Sequence, residues 1–219
     1  VRIGLYGGSF DPIHRGHLEG ARSAGRWLGL DRVVFLPARR PPHKLDRTFA
    51  SPFDRYALIA ASIVGEPWAE LSPWELERDG TTFAIEQLES FGRMRPGDRI
   101  TLLVGADALA DFAGWRRAEE IAAGWSIGVF PRDPWSWSSL AAKLPGWLAA
   151  RFRAFAADAP APGAISPGEV WGLSIPTVTI SSTELRRRLA AGEPTGEDLP
   201  PAAAELIRRH RLYREKGTN

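Results

Sequence analysis

The sequence predicts an α/β protein built on a doubly wound, mostly parallel sheet. Short apolar runs alternate with segments of helical spacing along most of the chain. Glycine or proline closes several of those runs: Gly7-Gly8 after the first, Pro37 after the second, Gly105 after a later one. Polar clusters also recur just beyond the runs, where open parallel sheets bind their ligands.

Arg2–Tyr6 reads as a strand ending in a Gly-Gly turn. From His17, small or apolar residues at Leu18, Ala21, Gly25 and Leu28 fall on one helical face. Arg32–Leu36 is a second strand, and Pro37–Phe49 a loop rich in Pro and Arg. Ser51-Pro52-Phe53-Asp54 opens a helix: capping serine, proline in the first turn, acid three residues after the cap. That helix is expected to run to about Val64. A strand follows over Trp68–Leu76, a helix over Thr82–Phe91, and strands over Ile100–Val104 and Ser126–Phe130. A helix is expected from about Ser138 to Ala157, broken near Pro145, then a last strand over Thr177–Ile180. Ser181-Ser182-Thr183-Glu184 opens a helix ending near Gly192, and Leu199–Arg211 forms a terminal helix. No repeat or linker divides the chain. One domain is expected over 1–219, with a C-terminal helical portion over about 182–213.

Composition narrows the class. An apolar fraction of 44% suffices for a full core, and no apolar run is long enough to cross a bilayer. With no cysteine, disulfides and thiolate metal sites are excluded. The chain starts on a strand-like run without a signal-peptide layout. A soluble cytoplasmic protein without a membrane or nucleic-acid partner is expected, the net charge of +2 being too small for a nucleic-acid footprint. A homo-oligomer is compatible with the sequence. Of the 28 basic residues only Lys44, Lys143 and Lys216 are lysines, which marks them out in an arginine-rich chain.

The strongest cluster is Gly7–His17. A Gly-Gly turn after a strand lets backbone N–H groups approach an anion. His14 and His17 share a face one turn apart, and imidazoles at a helix N-terminus donate well to phosphate oxygens. Neither G-x-x-x-x-G-K-[ST] nor G-x-G-x-x-G occurs. The histidine pair has a metal-ligand look, but no third His or Cys follows at useful spacing, so no protein metal site is expected. Two further clusters, Gly105–Asp107 and Ser181–Arg186, lie at the ends of other strand-like runs.

Gly7-Gly8-Ser9-Phe10-Asp11-Pro12-Ile13-His14-Arg15-Gly16-His17 resembles the G-x-F-D-P-x-H-x-G-H signature of the nucleotidyltransferase superfamily. Ile180-Ser181-Ser182-Thr183-Glu184-Leu185-Arg186 resembles its second signature. Within it the chain is similar to the bacterial nicotinate-nucleotide adenylyltransferases. That likeness rests on Pro41-Pro42-His43-Lys44, on Gly105-Ala106-Asp107 with Trp115, on Arg132, and on the closing segment Leu199–Tyr213. Where that family reads G-P-S-Y-T, this chain has Gly80-Thr81-Thr82-Phe83-Ala84, and Arg132 is followed by Asp133-Pro134.

The resemblance implies a Rossmann-like fold of the nucleotidyltransferase type. It also implies transfer of AMP from ATP to nicotinate mononucleotide, giving deamido-NAD and pyrophosphate in NAD biosynthesis, with Mg²⁺ accompanying ATP. His14, His17, Lys44 and Arg186 become the catalytic set. ATP is expected to meet Gly7, Gly8, Ser9, Phe10, His14, His17, Gly105, Asp107, Ile180, Ser181, Ser182 and Arg186. Here His17 faces the α-phosphate, Asp107 a ribose hydroxyl pair, and Ser181, Ser182 and Arg186 the departing phosphates. Nicotinate mononucleotide is expected to meet Ser9, Lys44, Thr82, Phe83, Ala84, Trp115 and Arg132, with Trp115 stacked on the pyridine ring. Competing readings are a pantetheine-phosphate adenylyltransferase, which is shorter and lacks the P-P-H-K loop, and a non-catalytic nucleotide-binding regulator, against which the intact motifs argue. A tRNA-synthetase fragment is disfavoured because no K-M-S-K-S element is present.

Overall fold

The computed structural model describes residues 1–40, 50–154, 165–176 and 179–214. Strands β1 (Arg2–Gly8), β2 (Arg32–Pro37), β3 (Ala69–Leu71), β4 (Arg99–Gly105), β5 (Ser126–Phe130), β6 (Phe152–Ala154) and β7 (Val170–Gly172) form one sheet. Their order is β3-β2-β1-β4-β5-β7-β6, and every pairing is parallel. The chain winds outward from β1 to β3, then returns to place β4 on the other side of β1. The strand order therefore reverses between β1 and β4, which opens a crevice beyond their carboxyl ends.

Helices α1 (Arg15–Trp27), α2 (Pro52–Ser62), α3 (Ala84–Met94), α4 (Ala106–Ala110), α5 (Ala118–Gly124), α6 (Trp137–Lys143), α7 (Gly146–Ala149), α8 (Ser182–Ala190) and α9 (Pro201–His210) cover the sheet. Strand alternation assigns them to faces. Val34 and Leu36 point into a cluster with Leu88 and Phe91 of α3, Leu109 of α4 and Ile121 of α5. Val33 and Phe35 point the other way, into Ala21 and Ala24 of α1, Leu58 and Ile59 of α2, Leu185 of α8 and Ile207 of α9. On that second face Gly128 of β5 admits Leu28 and Leu103; a Cβ there would lie 2.9 Å from each.

Local signals explain most boundaries. The Ser51 side chain accepts from the Asp54 N–H at 3.0 Å, so α2 begins where its capping pattern places it. Its end falls at Ser62, before Val64. Ser181 caps α8 in the same way, at 3.5 Å from the Glu184 N–H.

Several expectations are corrected. The helix expected from Thr82 begins at Ala84, because Phe83 takes the N-cap position. The strand expected over Trp68–Leu76 is Ala69–Leu71 only; from Pro73 the backbone turns, with Leu76 N–H bonded to Pro73 C=O. Of the helix expected over Ser138–Ala157, the first part is two short helices with the expected break at Pro145, Phe152–Ala154 is a strand, and residues 155–157 lie outside the described residues. Phe152 pairs with Val170, so the far edge of the sheet outweighs helical propensity there. Of the strand expected over Thr177–Ile180, Thr177 and Val178 lie outside the described residues, and Thr179 and Ile180 belong to neither helix nor strand. Among the described residues the last strand in chain order is Val170–Gly172. Among the described residues no helix is long and apolar enough to cross a membrane.

Candidate active site

A cleft of about 600 Å³ opens at the β1–β4 switch point. Gly7 and Gly8 enter it from the end of β1, and Gly105 from the end of β4. Beside them, Ser9, Phe10, His14 and His17 line the wall that leads into α1. Ile180, Ser181, Ser182 and Arg186 approach from α8, Asp107 from α4, and Arg132 from the loop after β5. Thr82, Phe83, Ala84 and Trp115 line it from the N-terminus of α3 and the turn before α5. Every site residue expected from the sequence, within the described residues, thus meets in one cavity. Lys44 and the rest of the Pro41–Lys44 segment lie outside the described residues.

His14 stands at the N-cap of α1 in extended backbone and is 3% exposed. Its N–H donates to His17 Nδ1 at 3.3 Å, and the two rings stack with centroids 3.6 Å apart. An Nδ1 that accepts leaves the neutral His17 ring with its proton on Nε2. Burial, then the nearby Arg132 cation, pull the His14 pKa down to about 3, against a weaker pull from Asp198. His14 is therefore neutral at physiological pH. Below the pair lies an aromatic floor. Phe10, at positive φ, packs edge-on to His17 at 5.1 Å and to Tyr6 at 5.2 Å.

The two signature segments are bonded to each other. Ser182 Oγ donates to Pro12 C=O at 3.2 Å, and Arg186 Nη1 to Asp11 C=O at 2.6 Å. Arg186 Nη1 also lies 3.7 Å from Asp11 Oδ2. Asp11 is 1% exposed and its other oxygen accepts from Tyr213 Oη at 2.8 Å and Ala50 N–H at 3.2 Å. Burial raises the Asp11 pKa, and the Tyr213 and Ala50 hydrogen bonds with the Arg186 and Arg55 charges oppose it. Asp107 sits in the first turn of α4 with Oδ2 3.9 Å from Arg132 Nε.

Four further residues complete the site, and sequence reasoning did not single them out. Arg55, 1% exposed, donates to the carbonyls of Ser9 and Ala38 at 2.6 Å each and of Ala50 at 3.2 Å, pinning the loops after β1 and β2. Its signal was present: Arg55 shares the helical face of Leu58 and Ile59, where a charge needs partners. Glu75 is buried at the cleft wall, accepting from Gln87 and from the Arg39 N–H at 3.2 Å. Burial raises its pKa. Tyr213 and Arg116 are the other two.

Residues 5–188 match the family described as cytidylyltransferase-like. A relative from Neisseria meningitidis, named "Probable nicotinate-nucleotide adenylyltransferase", is 35% identical over 97% of this chain and 98% of its own length. One of the same name from Thermus thermophilus is 36% identical over 98% and 100%. A solved structure, Plasmodium falciparum nicotinic acid mononucleotide adenylyltransferase complexed with NaAD, has a TM-score of 0.71 at 19% identity, covering 97% of each chain; this likeness is one of fold. The chain belongs to the cytidylyltransferase-like nucleotidyltransferases, within the nicotinate-nucleotide adenylyltransferase family.

Proposed function

We infer that this protein transfers the AMP group of ATP to the phosphate of nicotinate mononucleotide, giving deamido-NAD and pyrophosphate, a step of NAD biosynthesis. The observation that carries this reading is the union of both signature segments with the Thr82–Ala84 and Trp115 wall in one cleft. The names of its full-length relatives support it.

An oxygen of the acceptor phosphate attacks the α-phosphorus. The bond from that phosphorus to the oxygen bridging to the β-phosphate breaks, and pyrophosphate leaves. The nucleophile is already an anion, so the protein's task is alignment and charge stabilisation. His17 Nε2–H donates to the α-phosphate oxygen on which charge grows. Neutral His14, Gly7, Gly8 and Ser9 add donors along the nucleotide phosphates. Ser181 and Ser182 at the start of α8, with the Arg186 charge, receive the β- and γ-phosphates. Asp107 accepts from ribose hydroxyls, and Trp115 stacks on the pyridine ring. Lys44 adds positive charge. Ile180, Phe10 and Gly105 shape the nucleotide's seat, and Arg132 the acceptor's. A divalent ion accompanying ATP, Mg²⁺ by this reading, would supply further positive charge to the phosphates beside Arg186 and Lys44. Among the described residues no group of three or more His, Cys, Asp or Glu could hold a metal ion.

The test is pyrophosphate release from ATP and Mg²⁺ with nicotinate mononucleotide, nicotinamide mononucleotide and phosphopantetheine as separate acceptors. Release with nicotinate mononucleotide is expected. Release with phosphopantetheine alone would overturn the acceptor, and release with none would overturn the activity.

A further inference from the structure

Arg116 follows Trp115 at the rim of the cleft and lines it together with Phe83 and Ala84. Its guanidinium carbon lies 5.1 Å from the centre of the Phe83 ring. Its protein partner is Glu86, 3.5 Å away, with both side chains substantially exposed. Glu86 does not line the cleft. Arg116 therefore reaches between a rim carboxylate and the interior. Of the other guanidiniums on the cleft wall, Arg186 holds the Asp11 peptide and Arg132 faces Asp107 at 3.9 Å; among the three, Arg116 is the one set against the Phe83 ring.

This corner combines three elements with one chemical sense. Phe83 and Trp115 offer aromatic faces to a flat ring. Phe83 is the N-cap of α3, whose first bonds run from the Glu86 and Gln87 N–H groups, so the Ala84 and Ile85 N–H groups precede them at the positive end of the helix dipole. Arg116 adds a full positive charge with a planar donor fork. An exposed pair such as Arg116–Glu86 contributes little, so exchanging Glu86 for an anion shielded by two rings costs little. At position 84 this chain has alanine, whose side chain offers no hydroxyl to a ring substituent.

We propose that Arg116 selects the acceptor. It pairs with a carboxylate on the acceptor's pyridine ring while Phe83 and Trp115 hold the ring, so the acid is used in preference to the amide. A neutral carboxamide offers the guanidinium one acceptor oxygen in place of two, leaves its NH₂ without a partner there, and gains no charge pairing. The proposal rests on the acceptor reading above.

The experiment measures kcat/KM for nicotinate and nicotinamide mononucleotides, with ATP and Mg²⁺, for the wild-type chain, Arg116→Ala and Arg116→Lys. Arg116→Ala is expected to lower kcat/KM for the acid about tenfold and to change that for the amide less than twofold. Arg116→Lys should recover part of the preference through its charge. Equal losses with both acceptors, or an unchanged preference, would overturn the proposal, because a merely structural arginine acts on both alike. A wild-type chain inactive with either acceptor would instead overturn the acceptor reading, and the selectivity proposal with it. Thermal melts of the variants identify any loss due to unfolding, and Glu86→Gln then supplies a second readout: with its rim competitor gone, Arg116 should sharpen the preference for the acid. A flat preference in Glu86→Gln alongside a misfolded Arg116→Ala counts against the proposal.

Discussion

His14 donates its backbone N–H to His17 Nδ1 at 3.3 Å, and the two imidazoles stack at 3.6 Å with planes 28° apart. The His14 peptide N–H therefore fixes the His17 tautomer and leaves its Nε2–H as a preset donor. Preset donors aimed at developing charge act mainly in the transition state. His17→Ala is expected to lower kcat by about 100-fold, roughly 3 kcal/mol of transition-state stabilisation, with a smaller rise in the KM for ATP. Steady-state kinetics decide it: an unchanged kcat with only weaker ATP binding would assign His17 a ground-state role.

His14 makes stability depend on pH. Its folded pKa is about 3, against about 6.5 in an unfolded chain. Between those values the unfolded chain takes up a proton that the folded chain refuses, so stability falls as pH drops below 6.5, by up to about 1.4 kcal/mol per pH unit. Asp11 and Glu75, raised by burial, act with the opposite slope: the folded chain keeps protons that the unfolded chain releases, and stability falls as pH rises past the usual carboxylate range. A His14→Gln variant removes only the first contribution. From pH 7 to pH 5, wild-type melting temperatures should fall more steeply than those of His14→Gln. Parallel curves would mean that His14 is not held neutral.

Tyr213 reaches back to Asp11 across 202 positions of sequence. Tyr213→Phe removes one donor from a carboxylate that is 1% exposed, and is expected to cost about 1–3 kcal/mol. A urea titration would show a lower midpoint with an unchanged slope. A midpoint equal to that of the wild type would show that this hydrogen bond contributes nothing to folding.

Gly105 caps α4 at φ −77°, which any residue adopts, but a Cβ there would lie 2.3 Å from Asp107 Oδ1. Gly105→Ala must therefore rotate the Asp107 carboxylate while leaving the backbone unstrained. With Asp107 as acceptor for ribose hydroxyls, the KM for ATP should rise about fivefold, close to one hydrogen bond's worth, and the melting temperature should barely move. A large drop in melting temperature with an unchanged KM would place the effect in packing and remove Asp107 from the nucleotide site.

Signals confined to a few neighbouring residues were legible in the sequence. Ser51 and Ser181 cap their helices because a hydroxyl three residues before an N–H needs no distant partner. The strand-and-helix alternation, the Gly7–Gly8 turn and the His14–His17 spacing are equally local, and they located the cleft's walls. The edge pairing of Phe152 with Val170 was not legible, because a three-residue strand gains its stability from its neighbour rather than from its own propensity. Nor were the partners of Arg55 and Asp11. A buried charge is satisfied by whichever carbonyls or donors the packed chain brings to it, here from Ser9, Ala38 and Ala50 for the one and from Tyr213 for the other. Nothing in the sequence sets Arg116 apart from the chain's other arginines; the turn before α5 sets it against Phe83. Sequence spacing fixes what lies on one face of a helix or strand, whereas which faces meet depends on long-range burial, and only the tertiary structure decides that.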